Sequence, residues 1–279
     1  MVKNCLDQMK FFLEKRRKGK SNFYAYWSTR FNGFDKGANG LTLYKKFFKA
    51  LLEIINSLGG DGYMADGLVV WGRVIGWLGD KRYLDAVSLT RPDIRDSSIA
   101  WRTHTACWAS RLACNVQGDF LEIGCYEGYS ASVLREFLGR DFTAYWGSRQ
   151  YFWFDRFHGG GCQKSIALDQ TESLDICQRR ASRFSDVEII VGNVLETLVD
   201  DDRFASRKFA FVHFDLNDFE VEFEVLKFVM ERVVKGGVLL FDDFSMVPFS
   251  TQNALYRKFF KSCNLEVLEL PTGQGLVVV

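Results

Sequence analysis

Apolar positions along this chain follow two regimes. Over residues 1–115 they recur at roughly helical spacing, in Cys5 to Lys18, Leu41 to Leu58, Gly67 to Leu78 and Ser98 to Asn115, with Ser97 or Ser98 available to cap the last. Gly59-Gly60-Asp61-Gly62 and Gly79-Asp80 interrupt the pattern. From Gly118 onward, short apolar runs alternate with longer amphipathic ones. Strands are predicted at Phe120–Ile123, Tyr151–Phe154, Val187–Val191, Lys208–Phe214 and Val238–Phe241. Helices are predicted at Ser130–Leu138, Ser165–Phe184, Glu220–Val234 and Thr251–Ser262. Leu265–Leu270 and Leu276–Val279 read as a terminal hairpin around Pro271-Thr272-Gly273-Gln274-Gly275. The expectation is an α/β fold: a doubly wound, mostly parallel, seven-stranded sheet with a C-terminal antiparallel hairpin and a helical N-terminal extension. The organisation predicted is residues 1–115 as the extension and 116–279 as the sheet domain.

Composition narrows the class. The 279 residues are 47% hydrophobic, with 26 Phe and 7 Trp, enough for a large core. A net charge of +1 gives no global field toward nucleic acid or membrane. The run Lys15-Arg16-Arg17-Lys18-Gly19-Lys20 reads as a solvated helix end, where cations suit the macrodipole. Seven scattered cysteines without a Cys-x-x-Cys indicate neither a zinc site nor a disulfide framework. Reduced thiols and a cytoplasmic location are expected. Met1 to Lys20 lacks the apolar run of a secretory leader, and Leu68 to Leu78, interrupted by Arg73, is too short for a membrane span.

Candidate chemistry collects at strand ends, where ligands bind open parallel sheets. The fourth strand ends in His213-Phe214-Asp215-Leu216-Asn217 and the fifth in Phe241-Asp242-Asp243-Phe244. Three neighbouring carboxylates there, Asp215, Asp242 and Asp243, would repel unless a cation neutralised them, so a divalent-metal site is expected. The first strand runs into the turn Glu122-Ile123-Gly124-Cys125-Tyr126-Glu127-Gly128-Tyr129-Ser130. Its Gly-x-x-x-Gly spacing lacks the dinucleotide fingerprint. The acid in it suits a ligand with a cationic or amine-bearing end, such as S-adenosylmethionine. Candidate cofactor contacts are Glu122, Gly124, Tyr126, Gly128, Ser130, Asp155 for ribose hydroxyls, Asn193 for an adenine edge, and Asp215.

These residues resemble the macrocin O-methyltransferase (TylF-type) family of class I S-adenosylmethionine-dependent enzymes. The likeness rests on Gly118-Asp119-Phe120-Leu121-Glu122-Ile123-Gly124, on Phe154-Asp155-Arg156-Phe157-His158-Gly159, on His213 through Phe219, on Gly236-Gly237 through Phe244, and on Pro271 through Gly275. It covers residues 118–279. It implies a Rossmann-like methyltransferase domain over 116–279, methylation of hydroxyls on sugars of natural products, and magnesium held by Asp215, Asp242 and Asp243. Where the family has an aspartate proposed as general base and a tyrosine, this chain has Asn217 and Phe219. An amide cannot accept a proton at neutral pH. The catalytic candidates are therefore Asp218, His158 and the departing position Asn217, with His213 read as structural and Asp218 also as a helix cap.

The expected activity is magnesium-assisted O-methylation of a small sugar-bearing or polyhydroxylated molecule. Alternatives are a catalytically silent cofactor-binding scaffold of the same fold and a nicotinamide-dependent oxidoreductase. No nucleic-acid or membrane partner is expected. The N-terminal third is expected to cover the active site or form a homo-oligomer contact.

Overall fold

The computed structural model describes residues 23–25, 46, 47, 49–51, 53, 54, 57, 61–144, 148–157, 170–246 and 250–279. The expectations placed on Cys5–Lys18, on the basic run 15–20 and on His158 lie outside these residues. Within the helix expected over 41–58, the described residues are helical. The chain divides into two compact units, Met1–Leu84 with Pro92–Ala100, and Asp85–Arg91 with Trp101–Val279.

In the first unit, β1 (Phe23–Ala25) pairs parallel with β2 (Asp61–Ala65), which pairs antiparallel with β3 (Leu68–Arg73). Helical spacing over Gly67–Leu78 predicts a helix, and the structure corrects this to strand β3 and a 3₁₀ turn, Gly76–Gly79. The reason is the dipeptide Asp66-Gly67, whose φ values of 53° and 73° make a left-handed turn matched to strand twist. Trp77 packs edge-on against Tyr63 and Tyr83, at 5.7 and 5.6 Å between ring centroids. Next along the chain come α1 (Lys81–Thr90), whose residues from Asp85 belong to the second unit, and α2 (Ile94–Ser98), started by an Asp93–Asp96 capping box.

The second unit takes in most of α3 (Ala100–Ala113), followed by β4 (Asp119–Ile123), α4 (Tyr129–Leu138), β5 (Tyr151–Asp155), α5 (Gln170–Ala181) and β6 (Val187–Val191). The short α6 (Asp202–Ala205) then leads to β7 (Phe209–Phe214), α7 (Phe219–Met230), β8 (Val233–Phe241), α8 (Ser250–Ser262), β9 (Leu268–Glu269) and β10 (Gly275–Val278). The sheet order is β6-β5-β4-β7-β8-β10-β9. The first five strands run parallel, and β10 is antiparallel to both β8 and β9. This is the expected seven-stranded, Rossmann-like sheet with its terminal hairpin.

Every residue of β7 is buried, as a strand covered on both faces must be. One face packs Leu121, Ile123, Phe152, Phe154, Val212 and Phe241 into the main core. On the other, Phe120 meets Phe142 and Phe211, each at 5.2 Å. Strand β8 starts before the position expected for it because its register against β7 slips between Phe209 and Phe211, around the Gly236-Gly237 pair. The chain order reverses between β4 and β7, the place where open α/β sheets leave a ligand crevice. Among the described residues no helix is long and apolar enough to cross a membrane.

Candidate active site

At the reversal point the ends of β4 and β7 approach closely. The Asp215 N–H donates to Ile123 O at 2.8 Å. Gly124 sits at φ 93°, and a Cβ there would lie 2.2 Å from Asp215 O. Only glycine permits that approach. The turn continues through Tyr126, whose φ of 48° is unusual for a residue with a side chain. Its N–H donates to Asp155 Oδ2 at 2.7 Å, while the Phe157 N–H donates to Oδ1 at 2.9 Å. Gly128, at φ 72°, opens α4 against the Trp153 ring and Cys177 sulfur, leaving no room for a Cβ. Ser130 follows in the first turn of α4, half-buried.

A cleft of about 190 Å³ opens here, lined among others by Gly124, Asp155, Asp215, Asn217 and Asp218. Five expected site residues therefore share one cavity. A larger cleft of about 390 Å³ at the amino ends of the strands includes Asp119 and Arg207, which pair with each other at 2.7 Å. It holds none of the expected site residues.

Two expected cofactor contacts have other work. Glu122 is 1% exposed and does not reach the cleft. Its Oε2 accepts from Tyr151 Oη at 2.6 Å and its Oε1 faces His213 Nδ1 at 2.8 Å. Glu122 lies inside β4 rather than in the turn, so its side chain is directed into the layer beneath the site. The Asn193 side chain turns back on its own loop, accepting from the Leu195 N–H at 3.2 Å and donating to Glu196 Oε1 at 3.4 Å.

The acidic cluster has a partner that sequence reading missed. Arg102, from α3, donates through Nη1 to Asp242 Oδ2 at 2.6 Å, to Asp243 Oδ1 at 3.2 Å and to Asp242 O at 3.2 Å. The other Asp242 oxygen accepts from Gln274 Nε2 at 2.9 Å and lies 3.6 Å from His213 Nε2. Burial would raise Asp242, yet Arg102 above all, with His213, holds it well below the usual carboxylate range. Burial and the Asp242 charge push Asp243 up. Burial, then Asp242 and Asp243, push Asp215 well up. Burial disfavours a charged His213, but Glu122 and Asp242 outweigh it and hold the imidazole well above its ordinary value.

The magnesium triad implied by the family resemblance does not fit this donor set. Magnesium demands oxygen ligands at about 2.0–2.1 Å in near-octahedral array. The Arg102 guanidinium donates to both Asp242 and Asp243, and each Asp242 oxygen already accepts a hydrogen bond. Among the described residues no group of three or more His, Cys, Asp or Glu is disposed to hold a metal.

The loop after β7 is braced from below. Asp218 is the N-cap of α7, accepting from the Val221 N–H at 3.3 Å, as the cap reading expects. Buried Glu222 accepts from the Leu216 N–H at 3.2 Å, from Tyr256 Oη at 2.7 Å and from Gln252 Nε2 at 2.8 Å. Burial pushes Glu222 from 4.5 up to about 7, against the lowering effect of these donors. An acid raised in the folded state stabilises most below its ordinary value, and that stability is lost as pH rises toward about 7. The loss is roughly 3 kcal/mol. Urea unfolding at pH 5 and pH 8 should show Glu222→Gln losing about that much less than wild type.

Residues 121–244 match the family model described as a methyltransferase domain. Among solved structures, CalS11, a TDP-rhamnose 3′-O-methyltransferase of calicheamicin biosynthesis, shares 19% identity over 63% of this chain and 78% of its own, with a TM-score of 0.50. The O-methyltransferase NovP gives 19%, 63% and 78%, with a TM-score of 0.51. A second CalS11 structure gives 15%, 71% and 90%, with a TM-score of 0.51. These likenesses show a shared fold. No curated protein matches the chain.

Proposed function

We propose that the second unit binds S-adenosylmethionine and transfers its methyl group to a hydroxyl of a small polyhydroxylated or sugar-bearing acceptor. The observation that carries this reading is the glycine turn at the reversal point, pinned to Asp155 across a cleft that also contains Asp215, Asn217 and Asp218. The match of residues 121–244 to a methyltransferase domain supports it.

The residues present fit such a ligand. Gly124 lets it approach the backbone. Asp155 has given one bond site on each oxygen to a backbone N–H, so lone pairs remain for ribose hydroxyls. The bound cofactor would supply an electrophilic methyl on a sulfonium. The protein's part is to hold an acceptor oxygen in line with it and to take up the hydroxyl proton. Asn217 cannot do the latter. Asp218, an exposed carboxylate on the cleft wall whose capping bond uses only Oδ1, is the assigned proton acceptor. Free thiols at Cys107, Cys114, Cys125, Cys177 and Cys263 support a cytoplasmic setting.

Calorimetry with S-adenosylhomocysteine and transfer of labelled methyl to a panel of hydroxylated acceptors test this reading. Saturable binding is expected, weakened about 10–100-fold in Asp155→Ala by loss of charged hydrogen bonds. Binding without transfer would favour the silent scaffold. Binding of NAD in its place would restore the oxidoreductase.

A further inference from the structure

We propose that Arg102 is the resident cation of the Asp215–Asp242–Asp243 cluster, and that it closes this cluster to divalent ions. The inference concerns ion binding and is read out without turnover, so it stands or falls separately from methyl transfer.

Three carboxylates delivered by neighbouring strand ends need a positive charge among them. The chain supplies one from α3. Its guanidinium reaches the two carboxylates that follow β8, 2.6 Å from Asp242 and 3.2 Å from Asp243. The side chains of Arg102, Asp242 and Asp243 are 4%, 12% and 20% exposed, so solvent screens the arrangement weakly. Arginine stays charged at any working pH, and its planar fork matches carboxylate geometry.

The placement is over-determined. Gln274, fully buried on the terminal hairpin, donates to Asp242 Oδ1 at 2.9 Å and is itself fixed by Thr272 Oγ1 at 2.9 Å. The Met246 sulfur lies 3.6 Å from Arg102 Nη2. An ion approaching Asp242 must therefore compete with a guanidinium on one oxygen and a buried amide on the other. A divalent cation bound to Asp215 and Asp243 would have the guanidinium as a close neighbour. Like charges that close, weakly screened by solvent, repel strongly, and a doubly charged ion more so than a single charge. A divalent ion could therefore bind only by expelling the arginine, and the buried pair resists that.

The test is titration of the full chain with Mn²⁺, followed by electron paramagnetic resonance of the free ion, with thermal melts in Mg²⁺ and in chelator alongside. Wild type is expected to show no saturable binding below about 1 mM, the weak end of oxygen-donor sites, and no change in Tm with either addition. Arg102→Ala frees the carboxylates and should bind Mn²⁺ at least about tenfold more tightly, with a metal-dependent rise in Tm. Arg102→Gln, which keeps the packing stem, is the second variant should alanine fail to fold, and the same gain is expected. Arg102→Lys should remain closed. Saturable, sub-millimolar Mn²⁺ binding to wild type that Asp243→Asn removes would overturn the proposal. So would the absence of any gain in a folded Arg102→Ala or Arg102→Gln protein.

Discussion

Gly124→Ala is expected to lower stability by about 3–5 kcal/mol, among the larger effects a single substitution produces. Two penalties combine. A residue with a side chain is strained at φ 93°, and its Cβ would lie 2.2 and 2.8 Å from the carbonyl oxygen and carbon of Asp215. Both atoms are backbone, so no rotamer change relieves the clash. The ends of β4 and β7 must separate, which stretches the 2.8 Å bond from the Asp215 N–H to Ile123 O. Circular-dichroism melts should show Tm falling by about 10 °C, at about 2–4 °C per kcal/mol for a domain of this size. S-adenosylhomocysteine binding should weaken with it, because the cleft floor is made from the same two strand ends. A Tm within about 2 °C of wild type would show that the approach is looser than described.

Glu122→Ala is the second large effect, about 3–5 kcal/mol, the usual cost of removing one partner of a buried charged pair. Both Glu122 oxygens are engaged, with Tyr151 and His213. Without them the Tyr151 hydroxyl has lost its acceptor and the imidazolium its nearest counter-charge. A pH signature separates this from simple cavity formation. His213 is held well above its ordinary value, so its contribution is complete below about 6.5 and is lost as pH rises through the elevated folded value. In Glu122→Ala that loss should move to lower pH. Melts from pH 6 to pH 10 decide it. A variant whose stability falls in parallel with wild type across the range would show that His213 takes its charge from elsewhere.

The strands were readable because a strand covered on both faces leaves an unbroken apolar run, as Phe209–Phe214 does. The glycine turn was readable because backbone proximity leaves few residues but glycine. Strand β3 was misread for a definable reason. Leu68, Val69 and Val70 satisfy helical spacing as well as strand propensity, and only Asp66-Gly67 breaks the tie. Glu122 reads as a cofactor contact when placed in the turn, whereas it lies within β4 with its side chain in the layer below. Arg102 could not be found from local pattern. Its acidic partners stand 140 and 141 residues away. The carboxylates point to a divalent metal, whereas the positive group that meets Asp242 and Asp243 is a side chain. That contact is tertiary and leaves no local trace in the sequence.

That separation governs how the site comes into being. Arg102 meets Asp242 across 140 residues, and Gln274 meets the Arg102 carbonyl across 172. Contacts of such span close loops whose entropy is lost before the contact is gained, so they form late on the folding path. A nascent chain that has paired β4 through β8 but lacks the hairpin has Asp242 without its glutamine donor. The acidic cluster is thus a record of completed assembly, reached only when segments from both ends of the sheet unit have converged on one carboxylate.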